Sequence, residues 1–368
     1  MSADLRTVKL CLLGFGAVAR GFCDLLERQQ DALGRKHGLR VLITGAGTRR
    51  GSLLAPEGVT AGAALAAAPK GAPLPEPPRP PRDLLTASGA DVLVELTVME
   101  EDYAPAATGH IETAFDLGMD VVTANKGPIA WNWRRIAAKA AATGRRIRFE
   151  STVMDGLPVF SLLEFTLVDC RLLGFDAVFN STTNFIIDAM AHGAPFDTAL
   201  KHTQDEGFAE ADPSHDIDGW DAACKAAALA NVAMDAGITP ADVEKQSLRD
   251  VPLERIRRAY AEGKRLRLVT SVWRDGGVDD DGTADMDGGA DGAGRAAASG
   301  RPPGPVRARV RAAELDIDHP LAPLGEESLG VVLHTDLMGD VVVAELGALV
   351  PQTAYGVYAD LLHLCRTT

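Results

Sequence analysis

Thr7-Val8-Lys9-Leu10-Cys11-Leu12-Leu13 runs directly into Gly14-Phe15-Gly16-Ala17-Val18-Ala19-Arg20-Gly21, and then into an amphipathic stretch that ends near Arg28. A short apolar run, a glycine turn and a helical pattern in that order predict strand, tight turn and helix. Gly14, Gly16 and Ala19 have the spacing of the dinucleotide fingerprint, with alanine in its permissive third place. At such a turn Gly14 permits the tight bend and Gly16 lets a pyrophosphate approach the backbone. The helix N-terminus at Ala17 and Val18 offers amide donors and a favourable dipole. A glycine turn that binds nothing can carry the same letters; the strand before it and the helix after it are what favour the nucleotide reading.

Beyond this unit, apolar runs at 39–44, 91–96, 120–123 and 147–150 alternate with helical patterns around 110–117 and 131–142. Strands and helices alternating at this spacing predict a parallel sheet. Proline crowds the segment 69–82, which reads as an extended surface loop. The second strand leads into Gly45-Ala46-Gly47-Thr48-Arg49-Arg50, with no carboxylate where an acidic residue ordinarily binds the ribose hydroxyls of NAD. Arginine in that place accommodates a 2′-phosphate, so Arg49 and Arg50 make NADP the preferred cofactor and NAD the second. Solvated loop arginines are the plain alternative.

After about residue 151 the pattern changes to longer helical stretches with strands near 173–179, 266–273 and 306–312. That predicts a second, mixed α+β domain. Segment 276–305 is dominated by Gly, Asp, Ala and Pro, has little to bury, and reads as a disordered insertion between two strands.

The formal charge of -14 argues against nucleic acid and anionic membranes as partners. Seven aspartates between Asp275 and Asp291 supply much of it, so the remainder is only mildly acidic. Five widely spaced cysteines without paired ligand spacing read as reduced thiols. No apolar run has the length of a membrane span and the N-terminus leads straight into a strand pattern, so the expected location is the cytoplasm.

The stretch with the most chemistry is Gly207-Phe208-Ala209-Glu210-Ala211-Asp212-Pro213-Ser214-His215-Asp216-Ile217-Asp218-Gly219-Trp220-Asp221-Ala222-Ala223-Cys224-Lys225. It gathers carboxylates ahead of one lysine, with Asp221 and Lys225 a helical turn apart. Carboxylates bind an ammonium group, and a desolvated lysine can act as acid or base. Lys225 sits among Ala222, Ala223, Ala226, Ala227 and Leu229, so its stem is expected to pack against apolar neighbours. An acidic loop capping a surface helix, with one ordinary ion pair and a snorkelling lysine, is the bland alternative.

Taken together, five segments make the chain resemble homoserine dehydrogenase in the short form that lacks a C-terminal regulatory domain. They are 14–21, Val122-Thr123-Ala124-Asn125-Lys126-Gly127-Pro128, Glu150-Ser151-Thr152-Val153, Asn180-Ser181-Thr182-Thr183-Asn184-Phe185 and 207–225. The resemblance covers nearly the whole chain. It implies NAD(P)-dependent interconversion of L-homoserine and L-aspartate 4-semialdehyde, in the biosynthesis of threonine and methionine. The implied fold is α/β: an N-terminal Rossmann domain, 1–150, completed by 336–368, and a mixed α+β domain for substrate binding and dimerisation, 151–335. A homodimer is expected.

By the same resemblance Lys225 is the proton-transferring lysine and Lys126 lies between cofactor and substrate. Glu210, Asp216 and Asp221 are the substrate-side carboxylates, and Ser181 and Thr182 form a substrate-binding turn. Thr97 and Gly347 join Gly14, Gly16, Ala17, Val18, Arg49, Arg50 and Lys126 on the cofactor. A sodium ion is expected on the backbone carbonyls of Glu150, Val153, Asp155 and Leu157. The chain departs from the family pattern at Ser181, where glycine is usual, and at Phe208, where tyrosine is frequent. A C-terminal glycine cluster is reduced to Glu345-Leu346-Gly347-Ala348-Leu349, which sets a carboxylate where the cofactor is expected. Two other functions fit the same residues: an oxidoreductase for another small hydroxy or amino acid, and a catalytically silent binding protein.

Overall fold

The computed structural model describes residues 5–100, 102–206, 212–275, 304–325, 327–347 and 350–366. The chain divides into two compact units, Met1–Pro158 with Leu349–Thr368, and Val159–Ala348.

In the first unit the order is β1 (Arg6–Leu13), α1 (Ala17–Arg28), α2 (Gln30–His37), β2 (Leu39–Thr48), β3 (Gly51–Val59), α3 (Ala61–Ala67), α4 (Pro81–Ser88), β4 (Val92–Glu95), α5 (Pro105–Asp116), β5 (Asp120–Thr123), α6 (Lys126–Thr143) and β6 (Ile147–Arg148). The strands lie in the order β3-β2-β1-β4-β5-β6, the doubly wound arrangement. Successive residues of one strand serve opposite faces. Leu10, Leu12, Val92, Val94 and Val122 pack with Ala19, Phe22 and Leu26 of α1, whereas Cys11, Leu13, Leu93 and Val121 pack with Leu84, Ile111, Phe115 and Ile136. Burial on both faces is why these strands read as unbroken apolar runs. The C-terminal helix, Val350–Arg366, adds Ala354, Val357, Leu361 and Leu364 to the α1 side.

Two sequence expectations change here. The second strand does not stop at residue 44; it continues to Thr48 and turns through Arg49 and Arg50 into β3, which pairs with it antiparallel. Gly51, Pro56 and Gly58 disguise β3, but it is an edge strand, where proline has no ladder bond to break. Segment 69–82 is not simply an extended loop. Ser52 and Glu76 exchange backbone hydrogen bonds of 2.8 and 2.9 Å, which ties the proline-rich stretch to β3, and Pro81 opens α4 at its first turn.

The second unit contains α7 (Val159–Phe165), β7 (Leu172–Val178), α8 (Ser181–Ala191), α9 (Phe196–Asp205), α10 (Ser214–Ile217), α11 (Trp220–Met234), β8 (Glu244–Lys245), α12 (Leu253–Ala261), β9 (Arg265–Arg274), β10 (Val306–Leu315), β11 (Ser328–Thr335) and β12 (Gly339–Leu346). Its sheet has the order β12-β11-β7-β9-β10-β8 and is antiparallel apart from the short β8–β10 pair. Helices α8, α11 and α12 pack on it. Helix α11 is alanine-rich and buried on nearly every side, as a helix apolar all round must be. Of the insertion expected at 276–305, residues 276–303 lie outside the described residues. At its base Asp275 N–H donates to the Pro305 carbonyl at 3.0 Å, beside the paired ends of β9 and β10.

The C-terminal boundary also differs from the expectation of 336. Residues Gly339–Leu346 pair with β11 as the outer strand of the second sheet, so the return to the first unit comes only after Ala348.

Candidate active site

The end of β7 carries the chain into Phe179 and Asn180, and Asn180 caps α8 by accepting from Thr183 N–H at 2.9 Å. Its extended backbone, with φ -133° and ψ 113°, is the ordinary conformation of a capping residue. The expected substrate turn at Ser181 and Thr182 is therefore the first turn of this helix. The other face of the site comes from α10 and α11. Gly219, at φ 76°, turns the chain between them and sets Asp221 in the first turn of α11.

These elements bring together Asp216, Asp221 and Lys225. Lys225 Nζ lies 2.9 Å from Asp221 Oδ2 and donates to the Phe179 carbonyl at 2.6 Å. The two side chains are 16% and 12% exposed, so this is a largely desolvated pair rather than a surface one. Asn180 Nδ2 donates to Asp216 Oδ1 at 2.7 Å and to Asp221 Oδ2 at 3.2 Å. Burial, and then the neighbouring Asp221 carboxylate, push the Asp216 carboxyl above its ordinary range, although bonds from Asn180 and Thr182 and the charge of Lys225 oppose this. Two carboxylates thus share one amide, with an amine beside them. Such an arrangement can bind a small cation and exchange a proton.

Asn180 and the Phe179 carbonyl were missing from the sequence-derived set. A capping asparagine is readable from the letters, but its reach to residues 36 and 41 positions away is not. Glu210 and Phe208 lie outside the described residues. Ser181 is half-buried, while Thr182 is 6% exposed and bonds to Asp216.

In the first unit, Gly14 has φ 93° and a Cβ there would meet the Leu96 carbonyl oxygen at 2.2 Å. That glycine is demanded by the fold. Gly16 differs, because a Cβ on it meets nothing within 4 Å. It stands at the N-terminus of α1, where no side chain caps the helix and no acidic residue occupies the first turn. Ala17 is exposed and Val18 half-buried there. Bare amides, an unopposed dipole and room beside the backbone suit a pyrophosphate.

Thr97 follows β4, and Asn125 follows β5. Asn125 caps α6 through Gly127 N–H at 3.0 Å and donates to the Thr97 carbonyl at 3.2 Å, which places Lys126 at the first position of α6. Beneath them lies Glu95, fully buried, which accepts from the Thr97 hydroxyl and, at 3.4 Å, from that of Thr123. Arg49 and Arg50 are exposed at the β2–β3 hairpin turn, not at the open end of a strand.

Glu150, Val153, Asp155 and Leu157 lie along one segment, a 3-10 turn at Glu150–Thr152 followed by a bend in which Asp155 has φ 48° and Leu157 N–H donates to the Met154 carbonyl at 2.9 Å. The C-terminal helix clasps it: Asp360 accepts from Glu150 N–H at 2.8 Å, and Ser151 and Asp155 bond to Thr353 at 2.8 Å each. Glu345 lies in β12 of the second unit, and Gly347, at φ 80°, closes that strand by donating to the Glu327 carbonyl at 2.9 Å. Ala348 and Leu349 lie outside the described residues.

Residues 14–150 match the family model described as homoserine dehydrogenase, NAD binding domain, and residues 158–362 the one described as homoserine dehydrogenase. An NAD(+)-dependent homoserine dehydrogenase from Pseudomonas canavaninivorans is 30% identical over 97% of this chain and 96% of its own length. A crystal structure of a putative homoserine dehydrogenase from Archaeoglobus fulgidus superposes with a TM-score of 0.81 at 26% identity, covering 97% of this chain and 99% of that one. A hyperthermophilic archaeal homoserine dehydrogenase in complex with NADPH does so with a TM-score of 0.77 at 25% identity, covering 97% of each chain. With both units matched and the relatives spanned nearly end to end, this chain belongs to the homoserine dehydrogenase family.

Proposed function

We propose that this chain interconverts L-homoserine and L-aspartate 4-semialdehyde through Lys225, Asp216 and Asp221, with Lys126 on the cofactor side. The observation that carries the assignment is the seat of Lys225 Nζ between Asp221 and the Phe179 carbonyl, beside the raised Asp216 carboxyl. Oxidation of a primary alcohol to an aldehyde removes one hydride from carbon and one proton from the hydroxyl. A nicotinamide, when bound, supplies the hydride acceptor. The protein's own work is to grip the amino acid and take the proton.

Lys225 is the proton acceptor in this reading, because it is the basic side chain of the cluster. Asp216 and Asp221 attract the ammonium group of the amino acid, joined by Glu210. Thr182, and Ser181 at the start of α8, complete the substrate side. Ala17, Val18 and Gly16 hold the pyrophosphate, Thr97 and Lys126 border the nicotinamide half, and Gly347 is assigned to the cofactor by family position. The sodium ion is assigned to the carbonyls of Glu150, Val153, Asp155 and Leu157, supported by the hold of the C-terminal helix on Glu150, Ser151 and Asp155. A homodimer formed through the second unit completes the proposal.

NADP is the proposed cofactor. Arg49 and Arg50 are exposed on the hairpin and this segment offers no carboxylate for ribose hydroxyls. A second reading, NAD, is favoured by the Pseudomonas relative, an NAD(+)-dependent homoserine dehydrogenase. One experiment tests both points: the purified protein is incubated with L-homoserine and either NADP or NAD, and absorbance of the reduced cofactor is followed. Faster reduction of NADP is expected. Cofactor binding with no reduction of either would defeat the catalytic reading and favour a silent binding protein.

A further inference from the structure

Asn180 has one carboxamide and three demands on it. Its oxygen accepts from Thr183 N–H at 2.9 Å, and its nitrogen faces Asp216 Oδ1 at 2.7 Å and Asp221 Oδ2 at 3.2 Å. The orientation of the amide follows from these partners, since a flipped group would set its oxygen against two carboxylates and its NH2 against a backbone N–H. Both amide hydrogens are committed, one to each carboxylate. The residue is 7% exposed, so water does not replace them readily. The preceding residue, Phe179, supplies the carbonyl that receives Lys225 Nζ. One dipeptide at the end of β7 therefore touches all three groups, which come from two different helices.

We propose that Asn180 is a positioning residue for the reaction, one that fixes the spacing of Asp216 and Asp221 and thereby the seat of the Lys225 nitrogen. This rests on the catalytic reading of Lys225 given above. Without the two amide hydrogens, two close carboxylates would separate, and Asp221 would draw Lys225 away with it. Displacement of about 1 Å in a reacting group costs up to about 10²-fold in rate.

Asn180→Ser is the decisive variant, because serine caps a helix about as well as asparagine but cannot span to the carboxylates. Asn180→Thr, which also caps a helix and adds no charge beside the two carboxylates, is the second, and guards against failure of the first to fold. Each is measured for kcat, for KM of L-homoserine and of cofactor, and for melting temperature, with Lys225→Met alongside. The expected result is a fall in kcat of about 10- to 100-fold in both Asn180 variants, with cofactor KM within about twofold and melting retained. A purely capping role would leave kcat within about threefold of the parent in both variants while Lys225→Met is inactive; that outcome overturns the inference and spares the catalytic reading. An active Lys225→Met would overturn the catalytic reading, and this inference with it.

Discussion

Replacing Lys225 by methionine removes the nitrogen and keeps an unbranched stem of similar length in an alanine-lined helix. Two separate losses follow from the geometry. Catalytically, removal of the group that takes the hydroxyl proton should lower kcat by about 10² to 10⁴-fold, or roughly 3 to 5.5 kcal/mol at 1.36 kcal/mol per decade. Structurally, Asp221 is 12% exposed and loses its ion-pair partner at 2.9 Å. Breaking a buried pair from one side costs about 3–5 kcal/mol. Asn180 still donates to Asp221 at 3.2 Å, so a smaller loss, on the order of 1–3 kcal/mol, is expected. Lys225→Arg separates charge from proton transfer, because guanidinium pairs with a carboxylate but does not release its proton near neutral pH. It should restore part of the stability and none of the rate. The assays are steady-state reduction of cofactor at saturating L-homoserine and urea unfolding of each variant. An arginine variant within tenfold of the parent kcat, or a methionine variant that changes only KM, would refute proton transfer by Lys225.

The two fingerprint glycines should respond differently. Gly14→Ala meets the Leu96 carbonyl at a φ of 93° and should lower unfolding stability by about 1–3 kcal/mol or more, whereas Gly16→Ser should leave stability within about 0.5 kcal/mol and weaken cofactor binding at least about tenfold, read by fluorescence titration; equal stability losses would contradict this division. Replacing Arg49 and Arg50 together with alanine should raise the Kd for NADP more than that for NAD, and an equal change for both would show that the pair does not read a 2′-phosphate. In the second unit, burial opposes charge on His334, but hydrogen bonds to Asp176 and Asp340 outweigh it and hold the imidazole at a pKa of about 9. A raised folded value means that the stabilisation is full below the ordinary 6.5 and is lost as pH rises through about 9. The melting temperature should therefore fall over that window, and His334→Asn should flatten the decline; an unchanged slope would remove His334 as its source.

The part legible in the letters is what periodicity and local sterics dictate. Glycine spacing after an apolar run identified the strand, turn and helix at 7–28, and unbroken apolar runs identified buried strands. The four-residue step from Asp221 to Lys225 put both on one side of a helix whose other residues are nearly all apolar. The five quoted segments together identified the family. Strand β3 was hidden, because Pro56 and Gly58 count against a strand unless it is known to lie at an edge, and an edge is a property of the assembled sheet. The C-terminal boundary was misplaced for a related reason: nothing local in Gly339–Leu346 says that its partner is β11 rather than a strand of the first sheet. Asn180 and Asn125 could each be read as helix caps, since a cap depends only on the next three residues. That Asn180 also joins Asp216 to Asp221, and that Glu95 receives the Thr123 hydroxyl, depends on distances between segments tens of residues apart. Those distances come from core packing, which no local pattern encodes; the sequence by itself determined which groups were available for the chemistry, and only the tertiary structure decided which of them meet.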